Sequence, residues 1–237
     1  MKQQPRTAPS SRTVRPARTA PTAAISPQRV QEVCAAAGCV LPEEVCPHVQ
    51  EYLELLMRWN KVMNLVGARS WRDALENLLM DSFHLARFLE KLPLPAEPSS
   101  WDLGAGAGLP GIPLRMVWTR GQYTLVEARE KRALFLSTVT ARLGLARTDV
   151  FRGRAEAFFA MADRPADMVV SRAFLPWREV LTLIAPAVAG DALAVFLTLE
   201  PLPAAADMPE GWCAVAEEAY RVDGDTRFFW ALRRCAA

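Results

Sequence analysis

With 237 residues, 51% of them hydrophobic and 23% charged, the chain has the composition of a globular protein long enough to bury a core, which excludes a fibrous or wholly disordered polymer. A formal net charge of +2 is too small to imply a nucleic-acid partner by itself. No apolar run reaches the length of a membrane span, because each is interrupted by charge.

Residues 1–27 carry Lys2, Arg6, Arg12, Arg15 and Arg18, five prolines and no acid. Such a stretch buries too little apolar surface to offset its ordering entropy and reads as a disordered basic tail. Its arginines suit phosphates, its composition also matches an organelle transit peptide, and a merely solvated tail is an equal reading. A helical region follows over 28–92. Val30, Val33, Cys34 and Ala37 share one face before Gly38 stops the helix. Tyr52, Leu55, Leu56, Trp59, Met63 and Val66 form an apolar stripe between 43 and 66. Trp71–Leu92 reads as a third helix, with Glu76 and Asp81 beside His84, and the proline-rich LPLPAEPSS (92–100) is a linker.

From 99 to 237 strands and helices alternate. Strands are expected at 101–103, 123–126 (ending at Glu127), 149–151, 167–170 and 192–199, and helices at 112–118, 129–143 and 179–188. The helix over 129–143 is expected to bury Leu134, Phe135, Thr138 and Val139 and to present Arg129, Lys131, Arg132 and Arg142, with Gly144 as its cap. Cys213–Val222 and Arg227–Arg234 flank Asp223-Gly224-Asp225, a hairpin signal. The expected fold class is therefore α/β: parallel strands covered on both faces, a C-terminal antiparallel hairpin, and N-terminal helices ahead of them. Cys34, Cys39, Cys46, Cys213 and Cys235 form no CxxC pair and, with His48 and His84 the only histidines, match no zinc spacing. No metal is expected, and reduced thiols in a cytoplasmic protein fit best.

The stretch WDLGAGAGLPGIP, 101–113, places four glycines between a strand and a helix. Glycine is needed where backbone takes positive φ or approaches a ligand closely, and helix-start N–H groups receive polar or anionic atoms. A phosphate-binding loop of the ATPase type requires Lys after its last glycine, but Ile112 and Pro113 follow Gly111. A dinucleotide fingerprint requires glycine at 109, where Leu109 stands. Glu127 ends the second strand, 25 residues after Asp102, where an acid accepts hydrogen bonds from ribose hydroxyls. An adenosine without a required pyrophosphate points to S-adenosyl-L-methionine, with Asp102 and the loop facing its ribose and amino-acid end.

RWNKVMNLVG (58–67), MDS (80–82), DLGAGAGLPGIPL (102–114), EKRALFL (130–136), GRAEAF (153–158) and SRAF (171–174) follow one another in order. Together they resemble the RsmG (GidB) family of bacterial methyltransferases, which modify guanine N7 of small-subunit ribosomal RNA using S-adenosyl-L-methionine. The resemblance covers about 43–234. It implies a Rossmann-like class I methyltransferase domain over 99–237 and, as partner, 16S ribosomal RNA in the small ribosomal subunit. A monomer without membrane or metal is expected. Gly104 and Leu109 match cofactor-contacting positions, Ala155 and Glu156 the border of the adenine, and Arg172 the rim of cofactor and active site. With Gly106 and Glu127 they make up the expected cofactor site.

No catalytic residue is assigned. Guanine N7 carries an in-plane lone pair and needs no general base, so orientation and desolvation can supply much of the acceleration. The Asn-Pro-Pro-Tyr type of motif used for exocyclic amines is absent, and no cysteine lies in a motif for carbon-five methylation. Arg58, Lys61, Arg69, Arg72, Arg129, Lys131 and Arg132 are candidate phosphate contacts. The chain departs from the family pattern at Asn77 and Leu78 (usually Arg-His), at Leu197 and Thr198 (usually Lys-Gly) and at Phe228 (usually His). Two alternatives therefore stand: a class I methyltransferase with another substrate, and a non-catalytic RNA-binding or assembly homologue.

Overall fold

The computed structural model describes residues 24–222 and 224–235; the expected disordered tail lies outside them up to residue 23. Helix α1 (Pro27–Ala36) starts from Ser26, whose side chain accepts from the Arg29 N–H, and has Pro27 in its first turn, where a missing N–H costs nothing. Helix α2 (Cys46–Met63) ends at Asn64 in the left-handed region. The third helical stretch is not uniform. A short α3 (Trp71–Ala74) passes through a π-helical turn (Leu75–Leu79) into α4 (Met80–Leu89). Apolar spacing alone does not register such a widened turn, because the residues on either side remain on one face.

Strands β1 (Ser99–Leu103), β2 (Gln122–Glu127), β3 (Thr148–Arg152), β4 (Ala166–Arg172), β5 (Val188–Thr198), β6 (Trp212–Val222) and β7 (Asp225–Arg234) form one sheet in the order β3-β2-β1-β4-β5-β7-β6. The first five are parallel, with Leu103 opposite Val126 on one side and Ser171 on the other. Strand β7 runs antiparallel to both β5 and β6, as the expected α/β sheet with a C-terminal hairpin requires. Helices α5 (Gly111–Val117), α6 (Glu130–Leu143), α7 (Ala155–Phe159) and α8 (Trp177–Ile184) connect the parallel strands. The order reverses between β1 and β4, the position at which such sheets open a crevice beyond their strand ends.

Both faces of the sheet are buried. Met168, Val170, Leu193, Val195, Phe229 and Ala231 share a core with α1, α2, α4, α5 and α6. Val169, Ala194, Phe196, Trp230 and Leu232 alternate with them and pack against α7 and α8. That is why these strands read as continuous apolar runs. The N-terminal helices thus lie on the sheet face itself. Among the described residues, no helix is long and apolar enough to cross a membrane.

Two expectations are corrected here. In α6, Ala133, Phe135, Leu136 and Val139 are buried, whereas Leu134 is 57% exposed and Thr138 only half-buried. The helix is rotated because α2 also docks on it, Trp59 meeting the edge of Phe135 at 5.6 Å. Second, the cysteines are not all free thiols. Antiparallel pairing of β6 and β7 carries Cys213 beside Cys235, with Cα atoms 6.4 Å apart, and the two form a disulfide. Cys34, Cys39 and Cys46 are free and buried. Burial pushes the Cys34 thiol up to about 12, with Cys39 and Cys46 adding to the effect, so it is a packing group rather than a nucleophile.

Candidate functional site

A cleft of about 380 Å³ opens beyond the C-terminal ends of β1, β2 and β4, within the size range of small-molecule sites. Gly104 forms part of its wall at the end of β1, with φ +69°. A Cβ there would overlap the ring of Phe174, so only glycine satisfies both the dihedral and the approach. The loop is held by backbone: Gly104 and Ala105 N–H groups donate to the Val126 carbonyl at 2.9 and 3.1 Å. From the helical layer, the buried Tyr52 hydroxyl donates to the Ala107 carbonyl at 2.8 Å.

Glu127 is 5% exposed and lines the cleft. One oxygen accepts the Gly106 N–H at 2.9 Å and the other the Arg129 N–H at 2.7 Å. Two N–H groups leave a carboxylate with unused lone pairs, so it can still accept from the hydroxyls of a ribose. Ala155 and Glu156 line the far wall from the first turn of α7, a five-residue helix too short to carry an apolar period in the sequence. Val126, Leu175 and Leu183 provide apolar surface, and Arg129, Arg132 and Arg154 provide positive charge.

The remaining expected residues lie elsewhere. Gly106 uses its N–H to position Glu127 and does not line the cleft. Leu109 is half-buried and packs against the core shared with the N-terminal helices. Asp102 is turned away from the ligand cleft, contrary to expectation. It is buried beneath α5, accepting from the Tyr123 hydroxyl at 3.2 Å and from the Gly111 backbone. Strand alternation explains this: Leu103 and Trp101 belong to the opposite face, so Asp102 must point to the α5 side. A Cβ at Gly111 would overlap its carboxylate. Burial raises the Asp102 carboxyl to about 7, against the opposing pull of the Tyr123 and Gly111 hydrogen bonds and of Arg172.

Arg172 also does not line the cleft. Its guanidinium pairs with Asp81 at 3.1 Å and donates to the Leu78 carbonyl at 3.3 Å. Asp81, 2% exposed, additionally accepts from Arg227 at 2.7 Å and the Tyr220 hydroxyl at 2.9 Å. Arg227 donates to the Asn77 carbonyl at 2.8 Å. One buried carboxylate thus ties the π-helical turn, the end of β4 and the C-terminal hairpin together. Residue types alone could not reveal it, since its members stand 139 and 146 positions apart. Arg172 acts on the cleft through its own chain: Ala173, at φ +51°, turns Phe174 and Leu175 into the wall. His84 packs against Tyr220 with ring centroids 5.1 Å apart and planes tilted by 35°, and burial lowers its pKa, so it serves as a neutral aromatic.

Comparison with known proteins places the chain in a family. The family model GidB, rRNA small subunit methyltransferase G, matches residues 45–198. The ribosomal RNA small subunit methyltransferase G of Nitratidesulfovibrio vulgaris (strain DP4) is 53% identical over 210 residues, covering 88% of this chain and 94% of its own. That of Oleidesulfovibrio alaskensis is 45% identical, covering 86% and 92%. Among solved structures, a mutant of MtNAS in complex with S-adenosylmethionine superposes with a TM-score of 0.55 at 16% identity, over 90% of this chain and 86% of that one. That likeness concerns the fold alone. With the family model spanning most of the described chain and relatives this similar over nearly their whole length, the protein belongs to the GidB family of rRNA small subunit methyltransferases.

Proposed function

We propose that the protein methylates guanine N7 of 16S ribosomal RNA in the small ribosomal subunit, with S-adenosyl-L-methionine as methyl donor. The observation that carries this reading is the meeting of Gly104, Glu127, Ala155 and Glu156 around one cleft at the switch point of the sheet. These residues fit the cofactor. Gly104 leaves the backbone open at the end of β1, Glu127 keeps lone pairs for ribose hydroxyls, and Val126, Leu175 and Leu183 offer apolar surface to an adenine. The bound cofactor supplies an electrophilic methyl group on its sulfonium.

The chain's own part is to orient and desolvate. Glu127 holds a backbone N–H on each oxygen, which suits positioning rather than proton abstraction. Guanine N7 needs no base, so a site without a free histidine is sufficient for it. The departures from the family pattern at Asn77 and Leu78 spare the contacts made there, because Arg227 and Arg172 reach backbone carbonyls and not side chains. Phe228 and Leu197 pack on opposite faces of the sheet. A cytoplasmic monomer is part of the same reading.

The test is to incubate purified protein with methyl-labelled S-adenosylmethionine and small subunits from a strain lacking the endogenous enzyme. Label in 16S RNA is expected. Cofactor binding without transfer would instead support the non-catalytic homologue.

A further inference from the structure

On the surface between α2 and α6 lies a groove of about 380 Å³ lined by Arg58, Trp59, Val62, Met63, Lys131 and Leu134. Val62 is 85% exposed and Leu134 57%. A single exposed leucine or valine needs no explanation, but four apolar side chains in one concavity form a patch of the kind that marks a binding surface. Each helix adds one cation to the lining, Arg58 from α2 and Lys131 from α6, and no acid lines it. The acids nearest in sequence are engaged elsewhere: Glu51 with Arg142, Glu54 with Gln50 and Glu130 with Arg152. The start of α6 contributes side chains to both the groove and the cofactor cleft. Lys131 faces the groove, while its neighbours Arg129 and Arg132 face the cleft.

We infer that this groove seats an unpaired base of the substrate RNA, its apolar face against Trp59, Val62, Met63 and Leu134 and its flanking phosphates at Arg58 and Lys131. An aromatic and apolar floor between cations is the combination that holds single-stranded nucleic acid, because every base presents a stacking face and every linkage a negative charge. A protein partner or a second copy of the chain would bury the apolar floor equally well, but would need acids to meet both cations. Two cations and no acid in the lining favour a polyanion. The inference rests on the reading of the chain as an enzyme of folded ribosomal RNA and specifies which surface holds the RNA beside the reacting guanine.

The experiment measures equilibrium binding of small subunits, cofactor binding and methyl transfer for the wild type and for Val62→Glu combined with Leu134→Glu. Both side chains are exposed, so the fold is retained, and Val40→Glu, at a 78% exposed position away from the groove, serves as control. The double variant is expected to bind subunits about tenfold more weakly with unchanged cofactor affinity, and ultraviolet cross-linking of the wild type is expected to join RNA to the peptide containing Trp59 and Met63. Equal subunit affinity in wild type and double variant, or a cross-link from that peptide to a protein, overturns the inference. Absence of methyl transfer by the wild type would instead overturn the function reading, since subunit binding is scored independently of it.

Discussion

Replacing Asp81 by alanine removes the acceptor for three donors at once: Arg172 at 3.1 Å, Arg227 at 2.7 Å and the Tyr220 hydroxyl at 2.9 Å. The side chains are 3% exposed for Asp81, 21% for Arg172 and 14% for Arg227, so the two guanidinium groups would remain largely buried without their counter-charge. Breaking a buried pair from one side costs about 3–5 kcal/mol. Partial exposure of both arginines admits water, which places the expected loss near the lower limit, about 3 kcal/mol. For a domain of this size, a loss of that order lowers Tm by about 6–12 °C. Urea unfolding followed by circular dichroism should show a lower midpoint with an unchanged slope. Cofactor affinity should fall as well, because Arg172 anchors the Ala173–Phe174 turn over Gly104. A loss below about 1 kcal/mol, with cofactor affinity intact, would refute the reasoning.

Gly104→Val should abolish cofactor binding by calorimetry, since the residue has φ +69° and its Cβ would strike the ring of Phe174; unchanged affinity would mean that the loop is not the cofactor wall. Glu127→Ala leaves the Gly106 and Arg129 N–H groups without their acceptor, and two such charge-assisted bonds predict a loss of about tenfold or more in cofactor affinity, measured in the same titration. Asp102 provides a pH test. Its carboxyl is raised to about 7 by burial, so the folded state holds a proton that the unfolded chain releases near the ordinary carboxylate range. The native state is therefore favoured at low pH by this group, and that contribution is lost as pH rises to 7. Asp102→Asn should flatten this part of the stability profile in urea melts between pH 4 and 7, whereas a parallel profile would contradict the assignment.

What was legible in the sequence was what local chemistry encodes. Gly104 and Gly108 declare positive φ by identity, and both adopt it; Gly144 ends α6 in the left-handed region. The alternation of strands and helices gave the sheet, because strands covered on both faces are uniformly apolar. Less legible was anything set by packing between distant segments. The face that α6 buries depends on α2, which exposes Leu134 and buries Leu136. The partner of Arg172 could not be read from SRAF, because Asp81, which Arg227 of the hairpin shares, comes from the distant α4. Its place in the glycine motif points Asp102 at the ligand, but strand alternation turns it under α5. Of the expected cofactor residues, Gly104, Glu127, Ala155 and Glu156 meet around the cleft, and Gly106 acts behind it.

The central claim is transfer of a methyl group to guanine N7 of small-subunit RNA, and N7-methylguanine is chemically distinctive. Borohydride reduction followed by aniline breaks the RNA chain at that nucleotide. After incubation of the protein with S-adenosylmethionine and small subunits lacking the modification, primer extension along 16S RNA should stop at one new guanine. The stop should be absent without cofactor and absent with the Gly104→Val variant. Label incorporated into the RNA without a new cleavage site, or a stop that persists in the Gly104→Val reaction, would contradict the account.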